Sequence, residues 1–168
     1  MIIKSYEKME SFDVRGVTCN KSEAKITVCD VPDKPGVAAK IFTEVSKAGV
    51  SVDTIVQNVS HTRQTDISFT VPKASLNKAL RTVRILSKKM GAGTVLHDKN
   101  IARVSIIGSG MRSHHGIAAK MFSTLAENKI NIEMITTSEI SISCIINRKS
   151  SDKAVKALHK RFNLTKGL

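Results

Sequence analysis

Two short stretches carry the side chains best suited to chemistry on a small molecule. The first, Val31–Gly36 (VPDKPG), sets Asp33 just ahead of Pro35 and Gly36. Pro35 fixes φ immediately before a predicted helix, and Gly36 allows close approach of a ligand to the backbone. The free amides of Gly36, Val37 and Ala38 at the helix start suit a carboxylate. Asp33, just outside, is placed to pair with an ammonium through a charge-assisted hydrogen bond. The second is Gln57, on a predicted strand, whose amide both donates to and accepts from a hydroxyl. Together these groups answer the three parts of a free amino acid: carboxylate, ammonium and side chain. The same loop also fits a plain strand-to-helix connection in which Asp33 is a helix cap, and the residues alone leave both readings open.

Other reactive types are scattered. Gly108-Ser109-Gly110 follows a predicted strand, but GSGMRSHHG has neither a Walker ending nor GxGxxG spacing and reads as a turn. His114 and His115 are adjacent and diverge too far to chelate a metal. Cys19, Cys29 and Cys144 form no CxxC pair and read as buried thiols, so neither a metal site nor a cofactor is expected. No Ser/His/Asp order or carboxylate pair stands out, and no catalytic residue is expected in this chain.

The elements that must position these residues come from an internal repeat. The stretch GVAAKIFTEVSKAGVSVDTI, 36–55, lies over GIAAKMFSTLAENKINIEMI, 116–135, at an offset of 80 residues without a gap. Each copy starts with a strand (Ala24–Val31; Ile101–Gly108) and passes through a loop into an amphipathic helix. Val37, Ile41, Val45 and Ala48 mark the inner face of the first helix, and Ile117, Met121, Phe122 and Leu125 that of the second. Gly49 closes the first helix. Alternating strands follow, Val50–Ser60 with Thr65–Val71 and Ile130–Ser138 with Glu139–Asn147. A second helix completes each copy, Ala74–Met90 and Asp152–Phe162. The first copy ends with a strand over Gly93–His97, giving βαββαβ. The second copy runs out of chain, while Asp13–Cys19 (DVRGVTC) is a strand with no place in the first. The N-terminal strand is therefore expected to complete the second sheet. The expected fold class is α+β: two ferredoxin-like βαββαβ modules, antiparallel sheets with helices on one face, the first inserted within the second. The boundaries are a flexible leader at 1–12, one module at 24–98, and another made of 13–20 with 101–164.

At 168 residues, 41% apolar, the chain is long enough for two small cores. It has no run of apolar residues long enough to span a membrane and no signal-peptide pattern, so a soluble cytoplasmic protein with no membrane partner is expected. The net charge of +13 could attract nucleic acid, and an RNA-binding RRM shares the βαββαβ order. An RRM needs aromatics on its central strands, however, and here the third strand of the first copy offers only Phe69, with 4% aromatics overall. Nucleic acid is not expected as a partner.

Several separated blocks in one order resemble the regulatory region of aspartokinases, a tandem pair of ACT domains: Glu23–Thr27 (EAKIT), Val31–Gly36 (VPDKPG), Gln57–Ser60 (QNVS), Thr65–Thr70 (TDISFT), Val104–Met111 (VSIIGSGM) and Thr136–Ser141 (TTSEIS). The resemblance spans about 14–164; the QNVS and TTSEIS blocks set it apart from the small regulatory subunits of other amino-acid pathway enzymes such as acetolactate synthase. It implies feedback inhibition of aspartate phosphorylation by threonine, alone or with lysine. It also implies a homodimer formed by ACT–ACT pairing, with an aspartokinase catalytic subunit or domain as partner. For the site, it implies effector contacts at Asp33, Ala38 and Gln57, and adds Ser51, Val52 and Asp53. In the second copy it implies the backbone of Ile117 and Ala118, then Asn131, Ile132, Ser138 and Glu139. The second loop departs from the pattern, with Ser113, His114 and His115 where the first has Asp33, Lys34 and Pro35.

Overall fold

Alternation in the first strand of each copy decides which face is buried. In β2 (Glu23–Pro32), Ala24, Ile26 and Val28 are inaccessible to solvent, whereas Lys25 and Thr27 on the other face are half-buried. In β6 (Ile101–Ser109), Ala102, Val104 and Ile106 repeat that burial, with Arg103 in the place of Lys25. The structure is a computed structural model and describes residues 13–58, 63–109, 111 and 116–164. The expected leader, 1–12, lies outside them.

The remaining strands are β1 (Asp13–Asn20), β3 (Ile55–Gln57), β4 (Gln64–Pro72), β5 (Val95–Asp98), β7 (Ile132–Thr137) and β8 (Ser141–Asn147). The helices are α1 (Val37–Lys47), α2 (Leu76–Met90), α3 (Ile117–Glu127) and α4 (Ser151–Arg161). One sheet has the order β3-β4-β2-β5 and the other β1-β6-β8-β7, with antiparallel pairing throughout. Each is a four-stranded ferredoxin-like sheet. In the second, β1 takes the edge beside β6, running from Asp13 opposite Ser109 to Asn20 opposite Arg103, with a bulge between Val14 and Gly16. The first module is thus inserted in the chain between the edge strand of the second and its remainder.

Each helix pair covers one sheet face, as apolar residues at helical spacing require. In the first module Ile41 and Val45 of α1 and Val83 of α2 pack on Ile26, Ile67 and Phe69, and the Phe42 and Phe69 rings meet edge-on at 5.3 Å. In the second, Met121, Leu125 and Leu158 cover Val104, Ile106, Cys144 and Ile146. Burial pushes the Cys144 thiol up to about 12, consistent with an inert apolar role.

Four strands differ from expectation by two residues or more, and the one expected over Ile130–Ser138 is regular only over Ile132–Thr137. The stretch expected as a strand from Val50 to Ser60 is regular only over Ile55–Gln57. Gly49 adopts φ 68° and Val50 donates back to the Val45 carbonyl at 3.2 Å, so Val50 belongs to the end of α1 and is buried there. Val59 and Ser60 lie outside the described residues. The strand expected from Glu139 begins at Ser141, because the Ser138 hydroxyl accepts from the Ile140 and Ser141 amides at 3.3 and 3.1 Å and holds a turn there. The strand expected to start at Gly93 starts at Val95, since the Gly93 amide is taken up by the Cys29 carbonyl at 2.8 Å ahead of the regular ladder.

The sheet faces without helices meet between the modules. Val56 packs against a small cluster of Ile101, Met134 and Ile145. Around it, the Arg103 guanidinium bonds Glu23 at 2.7 Å and Asp53 at 2.6 Å, while Lys25 pairs with Glu133. Glu23 is nearly inaccessible and its Oε2 has no hydrogen-bond partner among the described residues. Burial raises the Glu23 pKa above the ordinary value; Arg103 opposes the shift and Asp53 reinforces it.

Because Val14 is buried in the second core, Val14→Asp should remove more than about 2 kcal/mol of stability. Hydrogen exchange should then show lost protection in β6, β8 and α4 ahead of β2 and β4; equal loss in both modules would contradict the assignment of β1. The raised carboxyl of Glu23 gives a second expectation, since its contribution to stability is fully present below the ordinary Glu pKa and is lost as pH rises through the folded value. Urea unfolding of wild type and Glu23→Gln should show wild type losing ground to the variant between mildly acid and neutral pH. A gap moving the other way would mean that the pull of Arg103 outweighs burial.

Candidate functional site

The ladder between β2 and β4 ends where Pro32 lies opposite Gln64. Beyond it the Asp33 amide donates to the Arg63 carbonyl at 2.9 Å and the Lys34 amide to the Pro32 carbonyl at 3.0 Å, which turns the chain. Gly36 then adopts φ 90° and caps α1 without any side-chain hydrogen bond. Apart from its chain neighbours, no atom of the described residues lies within 4 Å of where a Cβ would sit on Gly36, so glycine is required by backbone conformation and not by space. Gly116 repeats the arrangement ahead of α3, with φ 97°.

A left-handed glycine in place of a serine or aspartate cap leaves the helix start open. The Lys40 amide is the first to bond within α1, to the Gly36 carbonyl at 3.0 Å, and the Val37 amide makes only a long 3.4 Å bond to the Lys34 carbonyl. Intrahelical geometry leaves the amides of the first turn without acceptors inside the helix, and their dipoles favour an anion. Val37 is thus the least available of the three amides expected to bind a carboxylate.

This helix start forms one wall of a cleft of about 370 Å³. Asp33 lies at its rim, Gln57 reaches it from β3, and Ile67 of β4 supplies an apolar floor. Asp33 and Gln57 are exposed, and neither side chain bonds another described residue. Asp33, Gly36, Val37, Ala38 and Gln57 therefore share one site with an anion-favouring end, a carboxylate and a two-way hydrogen-bonding amide.

The other expected residues lie elsewhere. Ser51 is exposed, Val52 packs against the first core, and Asp53 is held by Arg103. In the second module Ile117 is buried, so only its backbone can face a ligand, and Ala118 is half-buried. Asn131 is exposed, while Ile132 rests on the second core. The Ser138 hydroxyl is occupied in its turn, where it also meets the Ser141 hydroxyl at 2.8 Å, and the Glu139 carbonyl accepts from the Met111 amide at 3.3 Å. Gly110, Ser113, His114 and His115 lie outside the described residues.

Sequence reasoning missed Lys25, Arg103, Glu23 and Glu133. A signal existed for three of them. EAKITV lies over IARVSI when the copies are aligned by their first strands, matching Lys25 with Arg103, and the repeat offset matches Asp53 with Glu133.

Gly36→Ala should cost about 1–2 kcal/mol in urea unfolding, the penalty for a Cβ in left-handed backbone. It should leave the far-UV spectrum unchanged, since nothing blocks the new methyl. A neutral substitution would show that the loop is not held at positive φ.

A model of the ACT domain matches the chain twice, over residues 30–84 and 104–162. An aspartate kinase of Stutzerimonas stutzeri is 49% identical over 158 residues, covering 94% of this chain and 38% of that protein. This chain spans about two fifths of the length of the curated relatives it matches. A crystal structure of aspartokinase alpha and beta subunits superposes with a TM-score of 0.84 at 46% identity, covering 90% of this chain and 99% of the matched one. The ligand-free regulatory subunit of aspartate kinase from Thermus thermophilus gives 0.84 at 37% identity, covering 89% and 98%. With two modules of this topology and two matches to one family model, the chain belongs to the ACT-domain family, as the tandem regulatory region of the aspartokinases.

Proposed function

We propose that this chain senses threonine, alone or together with lysine, and transmits its binding as feedback inhibition of aspartate phosphorylation by an associated aspartokinase catalytic subunit or domain. The observation that carries the reading is the cleft beside α1. Its amides suit the effector carboxylate, Asp33 the ammonium, and Gln57 a side-chain hydroxyl. No catalytic role is assigned to this chain, and the reading needs no cofactor or metal.

One module supplies only part of the expected contact set, since Ser51 and Val52 lie away from the cleft. A second copy would bring such residues to it. The edge strands β3 and β7 favour this, because they expose the repeat-related Ile55 and Ile135 at 50% and 45%. Apolar residues on an open edge favour a partner strand. A homodimer whose pairing completes the effector sites couples binding to assembly, each stabilising the other by mass action. Inhibition then follows as a shift toward the arrangement that holds the kinase inactive, for which a coupling of about 1–3 kcal/mol suffices.

Phe69 bears on the RNA alternative. It is fully buried on the helix side, and the opposite sheet face is covered by the other module, so neither offers a stacking platform.

Calorimetric titration with threonine, lysine, methionine, valine and isoleucine should show a selective response to threonine, alone or enhanced by lysine. Asp33→Ala and Gln57→Ala should each weaken threonine binding by about tenfold, the loss of a hydrogen bond worth about 1.5 kcal/mol, with folding retained. Unchanged affinity in both variants would reject this cleft as the site.

A further inference from the structure

The two charge clusters between the modules are copies of one another. Lys25 and Arg103 occupy the same position in the first strands of the two repeats, and Asp53 and Glu133 the same position ahead of or within the second. Yet each cation reaches across to the other module: Lys25 of β2 to Glu133 of β7, and Arg103 of β6 to Asp53 before β3. The same ion pair is thus made twice, crossed, about a local twofold relation between the repeats. The hydroxyl contacts beside them repeat as well, Thr27 with Ser68 at 2.9 Å and Ser105 with Ser143 at 2.7 Å.

The acidic member of each pair sits at a defined place. Asp53 directly follows Ser51 and Val52, and Glu133 directly follows Asn131 and Ile132. Those are the segments that the effector reading places against ligand. Three of the four crossed side chains are largely sequestered, Lys25, Glu133 and Arg103 being 18%, 22% and 23% exposed, whereas Asp53 is 52% exposed. Glu23 also holds Arg103, at 2.7 Å, from a buried position. Removing either partner of the Lys25–Glu133 pair strands the other charge away from water, whereas half-exposed Asp53 is held by its attraction to the sequestered Arg103.

We propose that Lys25 and Arg103 are positioning residues for the effector-contact segments, each fixing from the opposite module the acidic residue that ends such a segment, so that 51–53 and 131–133 shift together. The functional half of this inference rests on the effector reading above; the coupling itself does not. A ligand-induced displacement of Ser51 or Val52 would pull on Arg103, hence on β6, and the crossed arrangement returns the motion through Lys25 and Glu133. The two modules then respond as one unit although only the first loop carries the Asp33 chemistry.

Lys25→Glu, Glu133→Lys and the double charge swap test this in the full chain. Without ligand, hydrogen exchange should rise in each single variant at 131–137 and also at 51–57, which neither substitution contacts directly through the broken pair, and should return toward wild type in the swap. Threonine affinity should fall at least about fivefold in each single variant, the lower end of typical coupling, and recover to within about twofold in the swap. Loosening confined to 131–137, threonine affinity unchanged in folded single variants, or a swap that restores neither readout would overturn the proposal. If wild type binds no threonine, the effector reading fails by itself, and the exchange pattern still decides whether the segments are coupled.

Discussion

Each ACT module covers one face of its sheet with two helices and leaves the other bare, and the structure depends on how the two bare faces cover each other. The apolar seam between them is small, four side chains around Ile101. Around it are the crossed charges, and Glu23 stands in the first module where the second has Ile101 in that seam. Partly buried ion pairs add little stability over well-packed apolar residues, but a misplaced partner is costly. Here they act on orientation: a rotation of one module would separate at least one cation from its carboxylate. The same face-to-face packing denies the sheets to base stacking and leaves edges and helix starts as the surfaces open to ligands.

The duplicated modules differ in the side chains beside their helix starts. Both open a helix with a left-handed glycine, so both first turns present amides. The first adds Asp33 at the rim and Gln57 on the adjacent strand, where the second has Ser113 and Thr137 by sequence. The difference between the modules thus lies in a few side chains on a shared backbone.

Much of this was legible in the chain because apolar periodicity and the repeat agree. Ile41 and Val45 mark the inner face of α1, and DVRGVTC reads as a strand without a place in the first copy, which the structure pairs with β6. The cleft was legible because Asp33, Pro35 and Gly36 are local to one loop and Gln57 needed only the βαββαβ order to reach it. The start of β3 was not, since Val50 looks like a strand residue until the cap formed by Gly49 draws it into the end of α1. Nor were the crossed pairs: charge on a half-buried strand does not say which distant residue faces it, and the loop after β6 is longer than that after β2, hiding the match of Lys25 with Arg103 under a single offset.

The nested order of the two sheets also bears on synthesis. β1 is made before β6, its one ladder partner among the described residues, and the whole inserted module lies between them. At ribosomal speeds of about 5–20 residues per second, on the order of ten seconds separate the two. During that interval the nascent segment must stay unpaired while β2 to β5 close a complete sheet beside it. Arg15 and the polar residues interleaved with Val14 and Val17 keep that waiting strand from being a continuous apolar ribbon, which suits a segment that spends its first moments without a mate.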